Sequence, residues 1–217
     1  MFIGHFAVAL CAKKAAPKPS LGTLFMAAQW LDLLWPVFLL AGWEQVRVIP
    51  ERSGVAPFDF IDYPFSHSLL MAVVWSLVFV ILYRKFRPYG RGSVWTGAVV
   101  LSHWALDAIT HRPDLPLYPG SKTLVGLGLW NSLPATLVTE GALFVIGIAI
   151  YLRATRPVDR TGRYSFWGLM VFLAGIYAAN ILGPPPPDDP VVIAGAGLAI
   201  WLLIFWGYWI DRHRAAR

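Results

Sequence analysis

Long apolar runs, broken by short polar and basic loops, set the pattern of this chain. A helix needs about 20 mostly apolar residues to cross a hydrocarbon core. Six segments approach that length: residues 21–42, 66–83, 94–111, 129–152, 166–182 and 191–210. Residues 1–14 are apolar too, but too short to cross alone, and predict a short N-terminal helix packed against the others. Pro184 to Pro187, followed by Asp188 and Asp189, form a stiff turn that ends a helix. Pro36 and Pro134 lie inside apolar runs, where neighbouring helices can satisfy the freed carbonyls. Gly126-x-Gly128 and Gly195-x-Gly197 are read as small-residue helix contacts rather than nucleotide loops. The expected fold is all-α: a polytopic transmembrane helical bundle of about six spans plus the short N-terminal helix. With no linker and no soluble-looking half, residues 1–217 read as one membrane domain.

Composition agrees. The chain is 57% hydrophobic and 14% charged, where a soluble domain carries about 25% charged residues. Its net charge of +6 would allow a nucleic-acid partner, but none is expected, because the basic residues sit in loops between apolar runs. The single cysteine, Cys11, excludes an internal disulfide. The apolar stretch 2–12 precedes Lys13, Lys14 and Lys18, the reverse of a signal peptide. Leu10 stands before Cys11 where a lipoprotein site takes a small residue, so neither cleavage nor lipidation is expected.

Lys and Arg predict the topology. Taking alternate loops, one set holds Lys13, Lys14, Lys18, Arg84, Lys85, Arg87, Arg91, Arg153, Arg156, Arg160, Arg163, Arg212, Arg214 and Arg217, which is 14 of the 18 basic residues. The other holds Arg47, Arg52, Arg112 and Lys122. The first set is expected in the cytoplasm with the C-terminus. The second faces outward with the longest loop, residues 43–65. The expected location is a bacterial inner membrane.

Inside these spans stand groups that are costly there, roughly 2.5–3.5 kcal/mol for a central Asp on insertion scales. They are Asp32, His103, Asp107 and Glu140, with His5, His67 and His111 near span ends. No Lys or Arg lies at span depth to pair with the three carboxylates. A buried carboxylate without a cation is protonated or binds a metal. His103, Asp107 and His111 are spaced four apart and stack on one helix face. Imidazole and carboxylate are both good ligands for zinc and its neighbours. Counting 1.5 Å per residue from the basic loops gives about 18 Å of depth for His103, about 24 Å for Asp107, about 21 Å for Asp32, about 20 Å for Glu140 and about 25 Å for His67. Four helices therefore bring ligands to one level, past the midplane toward the outside. His5 reaches about 12 Å and joins them only if its helix tilts or starts deeper.

His5, Asp32, Ser66-His67-Ser68-Leu69-Leu70 and His103-x-x-x-Asp107-x-x-Thr110 resemble the bacterial membrane-bound metal-dependent hydrolase family (YdjM/YbcI-like). That family is distantly similar to zinc-dependent phospholipase C and related zinc nucleases. The resemblance covers roughly residues 1–145. It implies metal ligands at His5, His67, His103 and Asp107, with Asp107 bridging, and Asp32 as ligand or water-activating base. His111 and Glu140 would fill two places of a second metal. Position 136 is Thr where the pattern has His, and Asp62-Tyr63-Pro64-Phe65 departs from the Asp-His-Arg-Gly opening common in the membrane family.

The chemistry implied is hydrolysis by metal-activated water. A bound divalent ion, zinc or alternatively manganese or iron, lowers the pKa of its water toward about 7. Asp32 or Asp62 would accept the proton. A site open toward the outer leaflet suits a lipid phosphate. Two other readings stay open: an ion or proton transporter, and a non-catalytic membrane protein with a structural metal site. Against the transporter, the inner halves of the spans carry no ionisable groups to continue a path.

Overall fold

The computed structural model describes residues 1–50 and 55–217; Arg52, placed in an outer loop by the charge pattern, lies outside the described residues. The chain is a helical bundle with three short strand pairs at its ends. Helix α1 (Ile3–Ala15) is buried on every side, through Ile3, His5, Phe6, Ala9, Leu10 and Lys13. A helix apolar all round belongs inside, so the short N-terminal helix is the centre of the bundle. It packs on α2 (Leu21–Ala28), α6 (Gly90–Thr110) and α7 (Leu133–Ala154). A Cβ at Gly147 of α7 would lie 2.8 Å from the Ala7 carbonyl oxygen, so glycine lets those two backbones meet.

The expected first span is broken. Helix α2 ends at Ala28 and α3 (Trp30–Leu40) continues after a bend of 54° at Gln29. Pro36 lies inside α3, away from the bend. The break leaves the last carbonyl of α2, that of Ala28, to accept a hydrogen bond from His103 Nδ1 at 2.6 Å.

Helix α5 (Leu69–Phe86) exposes Leu70, Val73, Leu77 and Ile81, an apolar helical stripe on the outside of the bundle. It forms a hairpin with α6, which turns Thr96, His103, Asp107 and Thr110 inward. Among the described residues, four helices are long and apolar enough to cross a membrane: α5, α7, α8 (Arg160–Leu182) and the nearly continuous α9 (Pro190–Leu198) with α10 (Ile200–Arg212). The bent α2–α3 pair makes a fifth. Helix α6, expected as a span, is diluted by the polar residues it turns toward the core.

At one end, β1 (Gln45–Val48) pairs antiparallel with β2 (Phe58–Asp62), followed by α4 (Pro64–His67), and β3 (Leu115–Pro116) pairs with β4 (Leu124–Val125). Gly128 holds a left-handed φ of 72° where a 3₁₀ turn begins. Gly126 and Gly128 are therefore loop residues and not the helix contacts expected. Gly197 is such a contact, against Pro36.

At the opposite end, β5 (Thr155–Pro157) pairs with β6 (Arg214–Ala216). Lys13 bonds to Asp211 at 2.9 Å, Lys18 lies over the Tyr89 ring, and Arg214 bonds to Thr155. The four loops of the larger basic set thus gather at one end of the bundle.

Candidate metal centre

His5, Asp32, His67, His103 and Asp107 meet where α1, the α2–α3 break, α4 and α6 converge. Asp107 is at the centre, and its two oxygens face different partners. Oδ2 lies 3.0 Å from His103 Nε2 and 3.8 Å from His67 Nε2. Oδ1 lies 3.1 Å from His5 Nε2 and 3.9 Å from His111 Nε2, and accepts from the Met1 ammonium at 2.6 Å. Asp32 Oδ1 completes the Oδ2 side, 3.4 Å from His67 Nε2 and 3.6 Å from His103 Nε2. The His5 and His103 rings stack 3.7 Å apart and nearly parallel. His5 therefore joins the cluster, because its helix starts deep in the bundle.

The protons on three histidines can be assigned from their partners. The Ala28 carbonyl only accepts, so His103 carries its hydrogen on Nδ1. The Ser66 hydroxyl donates to Glu44 Oε2 at 2.7 Å, so it must accept from His67 Nδ1, also at 2.7 Å. His111 Nδ1 donates to Asp114 Oδ1 at 3.0 Å, and that oxygen also accepts from Tyr63 at 2.7 Å. In neutral imidazoles each remaining nitrogen, Nε2, is then a bare lone pair aimed at the carboxylates. His103 Nε2 shows the consequence. It is buried close to Asp107 Oδ2, yet among the described residues it has no aligned hydrogen bond. Lone pairs crowded at this spacing fit a shared cation between them.

Glu44 anchors this arrangement. Its carboxylate accepts from the Phe65 and Ser66 amides at 2.8 and 2.7 Å as well as from the Ser66 hydroxyl. Burial pushes the Glu44 carboxyl above its usual range, against the pull of those bonds. Burial, reinforced by the nearby Asp114 charge, holds the Tyr63 hydroxyl well above its ordinary value, so it stays a donor.

The other expected site residues fall at different distances. Asp32 has a third of its side chain accessible and lines the cavity, whereas Asp107 is buried. Glu140 also lines the cavity, but its Oε2 accepts from the Gly4 amide at 3.3 Å and so caps the start of α1. Thr136, one turn earlier, donates to the Leu129 and Ser132 carbonyls rather than offering a ligand. Asp62 is not brought to the cluster: it is exposed at the end of β2, opposite Gln45, because the strand register turns it outward. The residues not anticipated are Glu44, Tyr63 as a hydrogen-bond partner, and Asp114. The His111-x-x-Asp114 spacing carried a signal for the last of these; Glu44 carried none beyond an acidic residue just past a span.

The site fits a divalent ion on the chemistry of its donors. His67, His103 and Asp107 Oδ2 would hold it, with Asp32 beside them and His5 and His111 on the far oxygen of Asp107.

Comparisons with curated proteins and with solved structures returned no match. The family described as YdjM inner membrane protein matches residues 57–185. The matched region carries His67, His103, Asp107, His111 and Glu140, and leaves out His5, Asp32 and the α9–α10 segment. With that match over more than half its length, and with long apolar helices around a polar centre, the chain belongs to the YdjM inner membrane protein family.

Proposed function

We propose that this membrane protein is a metal-dependent hydrolase acting on a phosphate ester of a lipid or other amphiphile. The observation that carries the reading is the inward convergence of the Nε2 atoms of His67 and His103 on Asp32 and Asp107, each imidazole fixed by a partner on its other nitrogen. Zinc is the proposed ion, with manganese or iron as alternatives that suit the same ligands. When bound, such an ion supplies Lewis acidity and an acidified water.

The chain's own residues divide the remaining work. Asp107, buried and central, holds the cluster together through both oxygens. Asp32, on the open side, would take a proton from water entering through the cavity. Glu44, through Ser66, keeps His67 in the tautomer that leaves Nε2 bare. Trp130 packs against His111, the ring centroids 4.2 Å apart and the planes tilted by 38°. The proposed orientation puts the basic end in the cytoplasm and the site toward the outer leaflet, following the charge asymmetry.

The test is hydrolysis by zinc-loaded protein in lipid nanodiscs, with phosphate mono- and diesters of short and long chains. Turnover that depends on the metal and disappears in Asp107→Asn supports the reading. Tight metal binding with no turnover of any ester would replace it with the structural-metal reading.

A further inference from the structure

Beyond the His–Asp cluster the same cavity changes character. Its volume is about 530 Å³, within the ~300–1,000 Å³ of pre-formed small-molecule sites. The polar end presents Asp32, His67, Asp107 and His111. Apart from Glu140 and Asn180 the other walls are mostly apolar, with Ile181 near the end of α8 and Val192, Ile193, Ala196 and Ile200 from α9 and the start of α10. Gly197 brings α9 onto α3, since a Cβ there would lie 3.0 Å from Pro36 Cγ. Tyr177, one turn before Ile181, and Trp35, three residues past Asp32, add aromatic wall to this space.

We propose that the cavity binds a single-chain amphiphile lengthwise, its phosphate headgroup at the His–Asp cluster and its chain against α9 and the end of α8. A soluble substrate has no use for the apolar walls, and the cavity volume must hold head and chain together, which favours one chain over two. Val191 and Val192, at the start of α9, are exposed toward the surroundings and give a chain a route from lipid. The headgroup assignment rests on the proposed function; the chain site rests on the cavity. Because α9 lies outside the matched region, this segment would set which chains this protein accepts.

The test uses protein in nanodiscs and a dodecyl phosphate probe with a photoreactive diazirine at its chain end, the labelled peptides being mapped by mass spectrometry. Labelling is expected within 177–200 and around Trp35, blocked by dodecyl phosphate and at least about tenfold less by butyl phosphate. Ala196→Trp, which fills the chain space, should cut that labelling about tenfold at unchanged metal content. Labelling confined to the exposed stripe of α5, or equal competition by butyl and dodecyl phosphate, would overturn the chain site. Metal content is read in the same samples: chain labelling in protein that binds no metal supports the chain site while sinking the hydrolase reading, and metal binding without α9 labelling does the reverse.

Discussion

The bundle buries charged groups at both ends, and the two ends treat them differently. At the basic end, Lys13 meets Asp211 at 2.9 Å and the Pro19 carbonyl at 2.9 Å. Arg214 donates to Thr155 and to the Gly162 carbonyl while lying over the Tyr151 and Phe166 rings. His213 meets Asp159 at 2.6 Å, and hydrogen bonds from the Gly162 amide and His213 hold that exposed carboxyl below its usual value. Donors there face acceptors. At the other end, Asp107 Oδ1 is met by the Met1 ammonium and His5, but on its Oδ2 side and at Asp32 the Nε2 atoms of His67 and His103 face carboxylate oxygens while each ring's other nitrogen is held by an outer partner. A satisfied network reads as structure, and an unsatisfied, preorganised one reads as a ligand site.

The difference predicts opposite responses to mutation. The largest effect is expected for Asp107→Asn and His103→Ala, each of which should abolish most metal binding in elemental analysis of purified protein. Unchanged metal in His103→Ala would remove that residue from the site. Asp32→Asn should retain much of the metal and lose about 10²–10⁴ in hydrolysis rate, the usual cost of removing a general base. A wild-type rate would make Asp32 a packing residue. Glu44→Gln and Ser66→Ala should lower metal affinity about 10–100-fold, as loss of an outer partner does. Competition with a fluorescent chelator would measure this, and equal affinity would show that the tautomer of His67 is set by something else. The smallest effect on the metal, none, is expected from Arg214→Ala at the basic end. It removes the donors to Thr155 Oγ1 and one donor to the Gly162 carbonyl and should cost about 1–3 kcal/mol of stability, read as a lower unfolding temperature at full metal content.

Much of this contrast was legible beforehand. Periodicity and charge gave the helices and the gathering of the basic loops. Depth counting brought Asp32, His67, His103 and Asp107 to one level, because helix rise converts residue number directly into height. It failed where height is not set by rise along a straight helix. The bend at Gln29 turned one expected span into two helices, with no proline at the break to announce it. Helix α1 is expected as a short helix packed against the others with His5 only about 12 Å deep, yet its all-round apolar surface puts it in the centre and carries His5 to Asp107. Asp62 looked well placed by its nearness to His67, but strand pairing turned it to the surface. The partners that fix the ring tautomers come from distant segments, such as Glu44 for Ser66 and Ala28 for His103, and only the folded chain brings them together.

The most direct test of the central claim is an anomalous-scattering crystal structure of protein loaded with zinc, collected on both sides of the metal edge. The account predicts an anomalous peak within bonding distance, about 2.0–2.2 Å, of His67 Nε2, His103 Nε2 and a carboxylate oxygen of Asp107, with Asp32 beside it. Fully loaded protein with no peak there, or with its peak elsewhere on the molecule, would contradict it.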